Sequence, residues 1–222
     1  MPRHGTLAMS EYILDCFDDS GNSYKVALML NLCEADWEPR YVDFYHGETN
    51  TPEFRELNIM GEVPLLRHGD TVLSQSAIIL EYLARQLRRF GPRDEDEHRE
   101  IMRWLFFDNH KLSSYCSMLR LRRFVMRQGE GPITEFLETR ARAALTILNL
   151  QLGKHPFAIG DRMTIADISM CAWLFYGTEL GIDISEFPNV RKWLKEIRSN
   201  DEWAHPYDLM PGPEGIKPNW SL

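Results

Sequence analysis

The chain changes character near residue 91, and that change constrains its fold more than any single motif. Before it, strand-like and helix-like segments alternate; after it, no segment reads as a strand. Residues 12–17 form a short apolar run suited to a buried strand, and the turn cluster 18–22 follows. Residues 23–32, rich in Leu, Ala, Met and Lys, predict a helix. The alternation over 40–44, just after Pro39, predicts a second strand. Thr51-Pro52-Glu53 supplies a cap, a proline at the first helical position and an acid in the first turn, starting a short helix that ends near Asn58. Residues 63–67 and 71–73 flank His68-Gly69-Asp70 at hairpin spacing, and 76–89 returns to the helical period. The order β-α-β-α-β-β-α implies one mixed sheet covered by helices.

The polar, breaker-containing stretch 91–96 reads as a linker. Residues 97–127 predict one long helix, with Ile101, Trp104, Leu105, Leu112, Tyr115 and Leu119 along a stripe. Gly129 to Pro132 breaks it. Further helices are expected over 133–152, 164–180 and 189–199, with 157–161 extended. The division is therefore residues 10–90 as a mixed α/β domain, 97–204 as an all-helical domain and 205–222 as a proline- and aromatic-rich tail. That tail is expected as a coil on the surface, ordered or partly disordered, and residues 1–9 as a short disordered lead-in. A chain of 222 residues can bury a substantial core in this arrangement.

Composition removes several function classes. A net charge of −8 leaves no overall basic footprint for nucleic acid. No run approaches the ~18 apolar residues needed to span a bilayer, so no membrane association is expected. Cys16, Cys33, Cys116 and Cys171 form no C-x-x-C pair, which argues against a zinc site or a dithiol centre, and no metal is expected. Few cysteines and no secretory leader predict a cytoplasmic protein.

Three short motifs carry chemistry. Ser20-Gly21-Asn22-Ser23 lies at the join of the first strand and first helix. A helix N-terminus offers free N–H groups and partial positive charge, and a hydroxyl there can donate to a thiolate and lower the thiol pKa. Taken alone, a serine before a helix is most often only a cap. In Gly61-Glu62-Val63-Pro64, a proline opening a strand has no N–H to donate. If its peptide bond is cis, it turns the backbone of Val63 outward, where it can pair with a peptide-like ligand as an added strand. Gln75-Ser76 opens the helix after the hairpin, where free N–H groups, a hydroxyl and an amide suit a carboxylate.

In this order and spacing the three motifs resemble the glutathione transferase family. The resemblance runs from Tyr12 to about Leu209 and takes in residues 51–54, 61–66 and 73–83, and the segment 157–168. In the last of these, Thr164 caps a helix and Asp167 reaches back to it, a structural device. The resemblance implies a thioredoxin-like N-terminal domain followed by an all-α C-terminal domain. It also implies glutathione as cosubstrate, a homodimer, and a transferase that activates the glutathione thiol for attack on an electrophilic small molecule. By the same resemblance Ser20 faces the sulfur, with Asn22 and Ser23 in reserve, the Val63 backbone pairs with the cysteinyl part, Pro64 is the family's cis-proline, and Glu62 is among the glutathione-binding positions. Gln75 and Ser76 take the γ-glutamyl group. Trp104, Asn109, Ser113 and Tyr115 are expected to face the second substrate.

Some residues pull another way. Asp18 and Asp19, if turned into the site, disfavour a thiolate by like charge, and Glu62 does not attract the glycyl carboxylate of glutathione. Those acids, Trp37 and the aromatic tail also suit a catalytically silent member of the fold that binds a protein partner, such as a cell-division regulator. A glutathione-dependent reductase or isomerase is a third reading, but it favours a cysteine at the sulfur position; Cys16 reads as a buried small residue instead. The arginine groups at 85–93 and 120–127 read as solvated helix ends, or as a docking surface for an acidic partner.

Overall fold

Strand β1 (Tyr12–Cys16) is buried on both faces, which its apolar run requires. The structure, a computed structural model, describes residues 10–213; the expected lead-in 1–9 and the last part of the tail lie outside them. β1 pairs in parallel with β2 (Trp37–Tyr41) and antiparallel with β3 (Leu65–His68), and β4 (Thr71–Ser74) closes the hairpin, giving sheet order β2-β1-β3-β4. One acid sits inside this apolar strand. Asp15 is fully buried and accepts from Arg40 on β2 at 2.5 Å and Arg67 on β3 at 2.7 Å, tying three strands together.

β2 lies further back than the alternation over 40–44 implied. It runs through Pro39 rather than starting after it. The strand is an edge, where a missing N–H costs no ladder bond. Beyond it Val42 still donates to Cys16, and Phe44 then turns out of the sheet plane by bonding back to Val42. Helix α1 (Gly21–Leu32) follows β1, α2 (Pro52–Leu57) is capped by Thr51, and α3 (Ser76–Leu87) follows the hairpin.

After α3 the described chain holds helices and no strand. α4 (Glu95–Phe107) opens inside the expected linker, because the Asp94 side chain caps it through the Glu97 N–H at 2.8 Å. The long helix anticipated over 97–127 is interrupted twice by π-helical turns, Asp108–Leu112 and Leu121–Val125, which flank α5 (Ser113–Arg120). α6 (Pro132–Leu152), α7 (Ile165–Cys171), α8 (Pro188–Arg198) and the short α9 (Pro206–Leu209) follow within the described residues. The helix expected over 164–180 becomes 3₁₀ after Cys171 and breaks at Gly177, which adopts φ 56° and ψ −121°. Residues 157–161 are turns rather than extended chain, because the loop folds back over Asp167. That carboxylate accepts from Ala158 N, Thr164 N and Trp193 Nε1. Among the described residues no helix is long and apolar enough to cross a membrane.

α1 is buried almost throughout, since it lies between the sheet and the helical half and packs against α3 and α7. Its lysine is therefore inside. Lys25 donates to Asp108 at 2.8 Å and to Ser113 at 2.9 Å, and Asp108 also accepts from Ser113 and Ser169. All four side chains are at most 4% exposed. Removing one member of such a pair strands a charge in a low-dielectric interior. Lys25→Met is expected to lose about 3–5 kcal/mol of stability, read as a lower urea midpoint; a variant as stable as the parent contradicts this account.

Candidate functional site

The β1–α1 connection sets the site. Ser20 has extended backbone (φ −91°, ψ 100°) and caps α1. Its Oγ accepts from the Ser23 N–H at 3.2 Å and from the Ser23 hydroxyl at 3.0 Å. With both lone pairs engaged, the Ser20 O–H is the function left to turn toward a ligand. Ser20 lines a cavity of about 260 Å³ together with Asn22, Glu62 and Val63. The Val63-Pro64 bond is cis, and Pro64 is buried behind Val63.

Ser23 is fully buried behind Ser20. Gln75 caps α3 with φ 70° and ψ 108°, a conformation costly for any residue but glycine, and strain of this kind clusters at ligand sites. Its Nε2 lies 3.3 Å from Glu62 Oε2 and 3.0 Å from Met60 Sδ. Ser76, the first residue of α3, is 7% exposed.

None of the residues expected against the second substrate, Trp104, Asn109, Ser113 and Tyr115, lines this cavity. Trp104 borders a different hollow, with Phe107, Ile147 and Leu150. Ser113 is buried in the Lys25–Asp108 cluster. Tyr115 packs edge-on against Phe136 beneath Arg140, and Asn109 is exposed outside the cavity. For Ser113 and Tyr115, which follow it, the physical reason is the π turn at Asp108–Leu112; Trp104 precedes that turn and packs against Phe107 instead. The π turn adds about one residue per turn and so rotates the following face by roughly 100°. Met118, Leu121 and Val125 face the cavity instead, joined by Trp173. On the sheet side Phe17, Phe44 and Tyr45 form an aromatic wall, with Phe17 and Phe44 stacked at 5.0 Å. Trp173 comes this close because residue 21 is glycine: a Cβ there would collide with the indole.

Beneath the wall lies a charge network that sequence reading missed. Arg120 is 2% exposed, so it is no part of a solvated helix end. Its Nε donates to Glu179 at 2.6 Å, and Nη2 donates to Asp19 at 2.5 Å and to the Tyr207 hydroxyl at 2.6 Å. The guanidinium lies 4.1 Å over the Tyr176 ring. One signal was present: Arg120 stands four residues after buried Cys116, hence on the inner face of α5. The tail takes part too. The Tyr207 hydroxyl is 3.0 Å from Asp19 and 3.1 Å from Glu179, and buried His205 is held to the Phe175 carbonyl. Within the described part of the tail, His205, Pro206, Tyr207 and Met210 are buried and residues 206–209 form a short helix rather than coil.

Of the two acids before Ser20, Asp19 is neutralised by Arg120 and also accepts from Tyr45 at 3.0 Å. Among the described residues Asp18 takes no ion pair. Burial, and then the neighbouring Asp19, push its carboxyl up to about 6. Burial likewise raises Glu179. Cys16 is fully buried, its thiol is pushed well up by burial, and it does not reach the cavity.

The sequence profile of the glutathione S-transferase N-terminal domain matches residues 19–86, and that of the C-terminal domain matches residues 115–201. A glutathione S-transferase of Pseudomonas fluorescens superposes with a TM-score of 0.85 at 30% identity, over 90% of this chain and 100% of that one. Glutathione S-transferase 2 of Anopheles gambiae is 31% identical over 69% of this chain and 74% of its own length. The disulfide-bond oxidoreductase YfcG of Escherichia coli is 26% identical over 82% and 88%. The sheet with its covering helices, followed by a helical half, defines a two-domain transferase architecture. The chain belongs to the glutathione S-transferase family.

The raised Asp18 has a pH consequence. Its carboxyl holds a proton in the folded state between about pH 4 and 6, where the unfolded chain has lost it. The folded protein therefore loses stability as pH rises through that window. Asp18→Asn is expected to be more stable than the parent above pH ~6, by roughly 1–2 kcal/mol. The difference should vanish near pH ~4, and thermal midpoints across that range check it.

Proposed function

We propose that this protein is a glutathione transferase that binds glutathione at the β1–α1 mouth and presents its thiolate to an electrophile. The observation that carries the reading is the Ser20 oxygen, held by two Ser23 donors at the start of α1, with its own proton free for a sulfur in the adjoining cavity. The hydroxyl donates to the thiolate, and the N-terminus of α1 adds partial positive charge, so the ionised thiol is favoured near neutral pH. The Val63 backbone takes the cysteinyl part as an added strand. The strained Gln75 and the first turn of α3 at Ser76 take the γ-glutamyl carboxylate. Asn22 and Pro64 complete the contour, with Ser23 acting through Ser20.

The electrophile then lies between the Phe17–Phe44–Tyr45 wall and Met118, Leu121, Val125 and Trp173. That lining is apolar and aromatic, which fits a flat apolar molecule. Attack forms a sulfur–carbon bond and expels the leaving group as an anion, with Ser20 retaining its proton. We further read the protein as a cytoplasmic homodimer. Ile78 on α3 and Phe106 on α4, 49% and 70% exposed, offer apolar surface from each half.

A second reading is favoured by one feature. Asp19 and Glu62 both line the cavity, and its one arginine is already committed to Asp19 and Glu179. Acid at the mouth opposes a thiolate and suits a silent scaffold that binds a protein partner.

Calorimetric titration with glutathione, followed by conjugation of chlorodinitrobenzene, separates the two. Binding with turnover supports the transferase; no heat at millimolar glutathione supports the scaffold. Reduction of a disulfide by glutathione without conjugation would instead align the chain with the oxidoreductase relative. In Ser20→Ala, kcat/KM is expected to fall by roughly 10²-fold. Folding should lose only about 1 kcal/mol for the missing cap. Unchanged turnover removes Ser20 from the chemistry. Glu62→Gln is expected to tighten glutathione several-fold by removing a like charge, and a weaker Kd would assign Glu62 to holding the ligand.

A further inference from the structure

We propose that the electrophile taken by the Ser20 cavity carries a positive charge: an apolar body with a quaternary or protonated ammonium group. This rests on the transferase reading and names the substrate class of that same site. The cavity holds more carboxylate than cation. Asp19 and Glu62 line it, and Arg120 is its one cation among the described residues. That guanidinium is shared between Asp19 and Glu179, so it does not offset Glu62. Glu62 is exposed and takes no ion pair among the described residues; its Oε2 accepts from Gln75 Nε2, a neutral donor, at 3.3 Å. Arg55, beside Gly61, donates instead to the Ile59 carbonyl and to Asn50.

The rest of the lining is aromatic. Phe17 and Phe44 stack at 5.0 Å, and Tyr45 meets them edge-on at 5.6 and 5.7 Å. Phe44 and Tyr45 stay exposed, and Trp173 joins from the helical half. The Tyr45 hydroxyl donates to Asp19 at 3.0 Å, so rings and acids share one wall. Elsewhere the protein supplies its rings with cations: Arg120 lies over Phe124 and Tyr176, and Arg140 over Tyr115 and Phe136. Among the described residues no cation lies over Phe17, Phe44, Tyr45 or Trp173. Ring faces are negative, and rings set beside carboxylates hold ammonium groups.

A positive electrophile also resolves the charge conflict at the mouth. A neutral one leaves the thiolate facing Glu62 without compensation, and an anionic one adds a further like charge. A cationic one brings the countercharge with it and so favours loss of the thiol proton to solvent. The sulfur then attacks the carbon that bears the leaving group. The carbon–sulfur bond forms, the carbon–halogen bond breaks with its electron pair on the departing halide, and the ammonium group is unchanged.

Binding is tested first, without glutathione, by calorimetry with 3-trimethylammoniophenol and its neutral isostere 3-tert-butylphenol. The cation is expected to bind about tenfold tighter, and that ratio to fall several-fold in both Glu62→Gln and Phe44→Leu. Both side chains are exposed, so folding should be retained. Turnover is then compared for 4-chloro-3-nitrophenyltrimethylammonium, chlorodinitrobenzene and 4-chloro-3-nitrobenzoate, each kcat/KM divided by the uncatalysed rate with free glutathione. In the parent this quotient should fall about tenfold at each step, and in Glu62→Gln the three should converge. Equal binding of the two phenols, no binding of the cation, or a preference unchanged in both variants overturns the proposal. If the cation binds while glutathione alone gives no heat, the transferase reading fails and the selectivity of the cavity for a cation stands.

Discussion

Everything at the mouth depends on one buried cation. Arg120 joins three parts of the chain that no local interaction would bring together: Asp19 in the β1–α1 loop, Glu179 in the bent 3₁₀ segment and Tyr207 in the tail. A guanidinium suits this task because its planar fork offers several donors in fixed directions and is always charged. Its burial is tolerable only because two carboxylates, a hydroxyl and the Tyr176 ring satisfy it. Ser20 follows Asp19 directly, so the position of the Ser20 hydroxyl is set from the helical half as much as from the sheet. The site is therefore a product of docking between the two halves.

The same dependence explains what could be read from sequence. Local devices were legible because their partners lie within a few residues. Thr51 accepts from Phe54 N, and Thr164 and Asp167 cap the start of α7 reciprocally. The Ser20 cap on α1 is of the same kind. The alternation of strands and helices before residue 91, and its absence after, gave the architecture for similar reasons. Strand β2 was displaced because an edge position removes the usual penalty on Pro39, and edge status is a property of the whole sheet.

The part of the cavity lining that comes from this stretch was not legible, since beyond residue 108 two π turns shift the register of a hydrophobic stripe that reads as one unbroken helix. Residues spaced correctly for an α-helix then point away from the cavity. Part of the reason for the first π turn is visible. Asp108 lies within it and must meet Lys25, Ser113 and Ser169 in the interior. The local widening of the helix accompanies a buried ion pair between the halves, a long-range demand with no local signature. The Arg120 network was missed likewise, because its members are spread from Asp19 to Tyr207.

The charge balance at the mouth follows from these two clusters. Lys25 is consumed by Asp108, and Arg120 by Asp19 and Glu179, so both cations closest to the start of α1 are already neutralised. What remains to favour an anion at Ser20 is hydrogen bonding and the partial charge of one helix end, a contribution of about 0.3–1 kcal/mol at exposed sites and up to ~2 kcal/mol when partly buried. Against it stands Glu62, whose carboxylate lines the same cavity. On the proposed reading, a thiolate there would be held by oriented dipoles rather than by a countercharge from the protein. Such dipoles act only on an atom placed within hydrogen-bond reach, so on that reading activation would fall on the one thiol that the Val63 backbone and the first turn of α3 bring to Ser20.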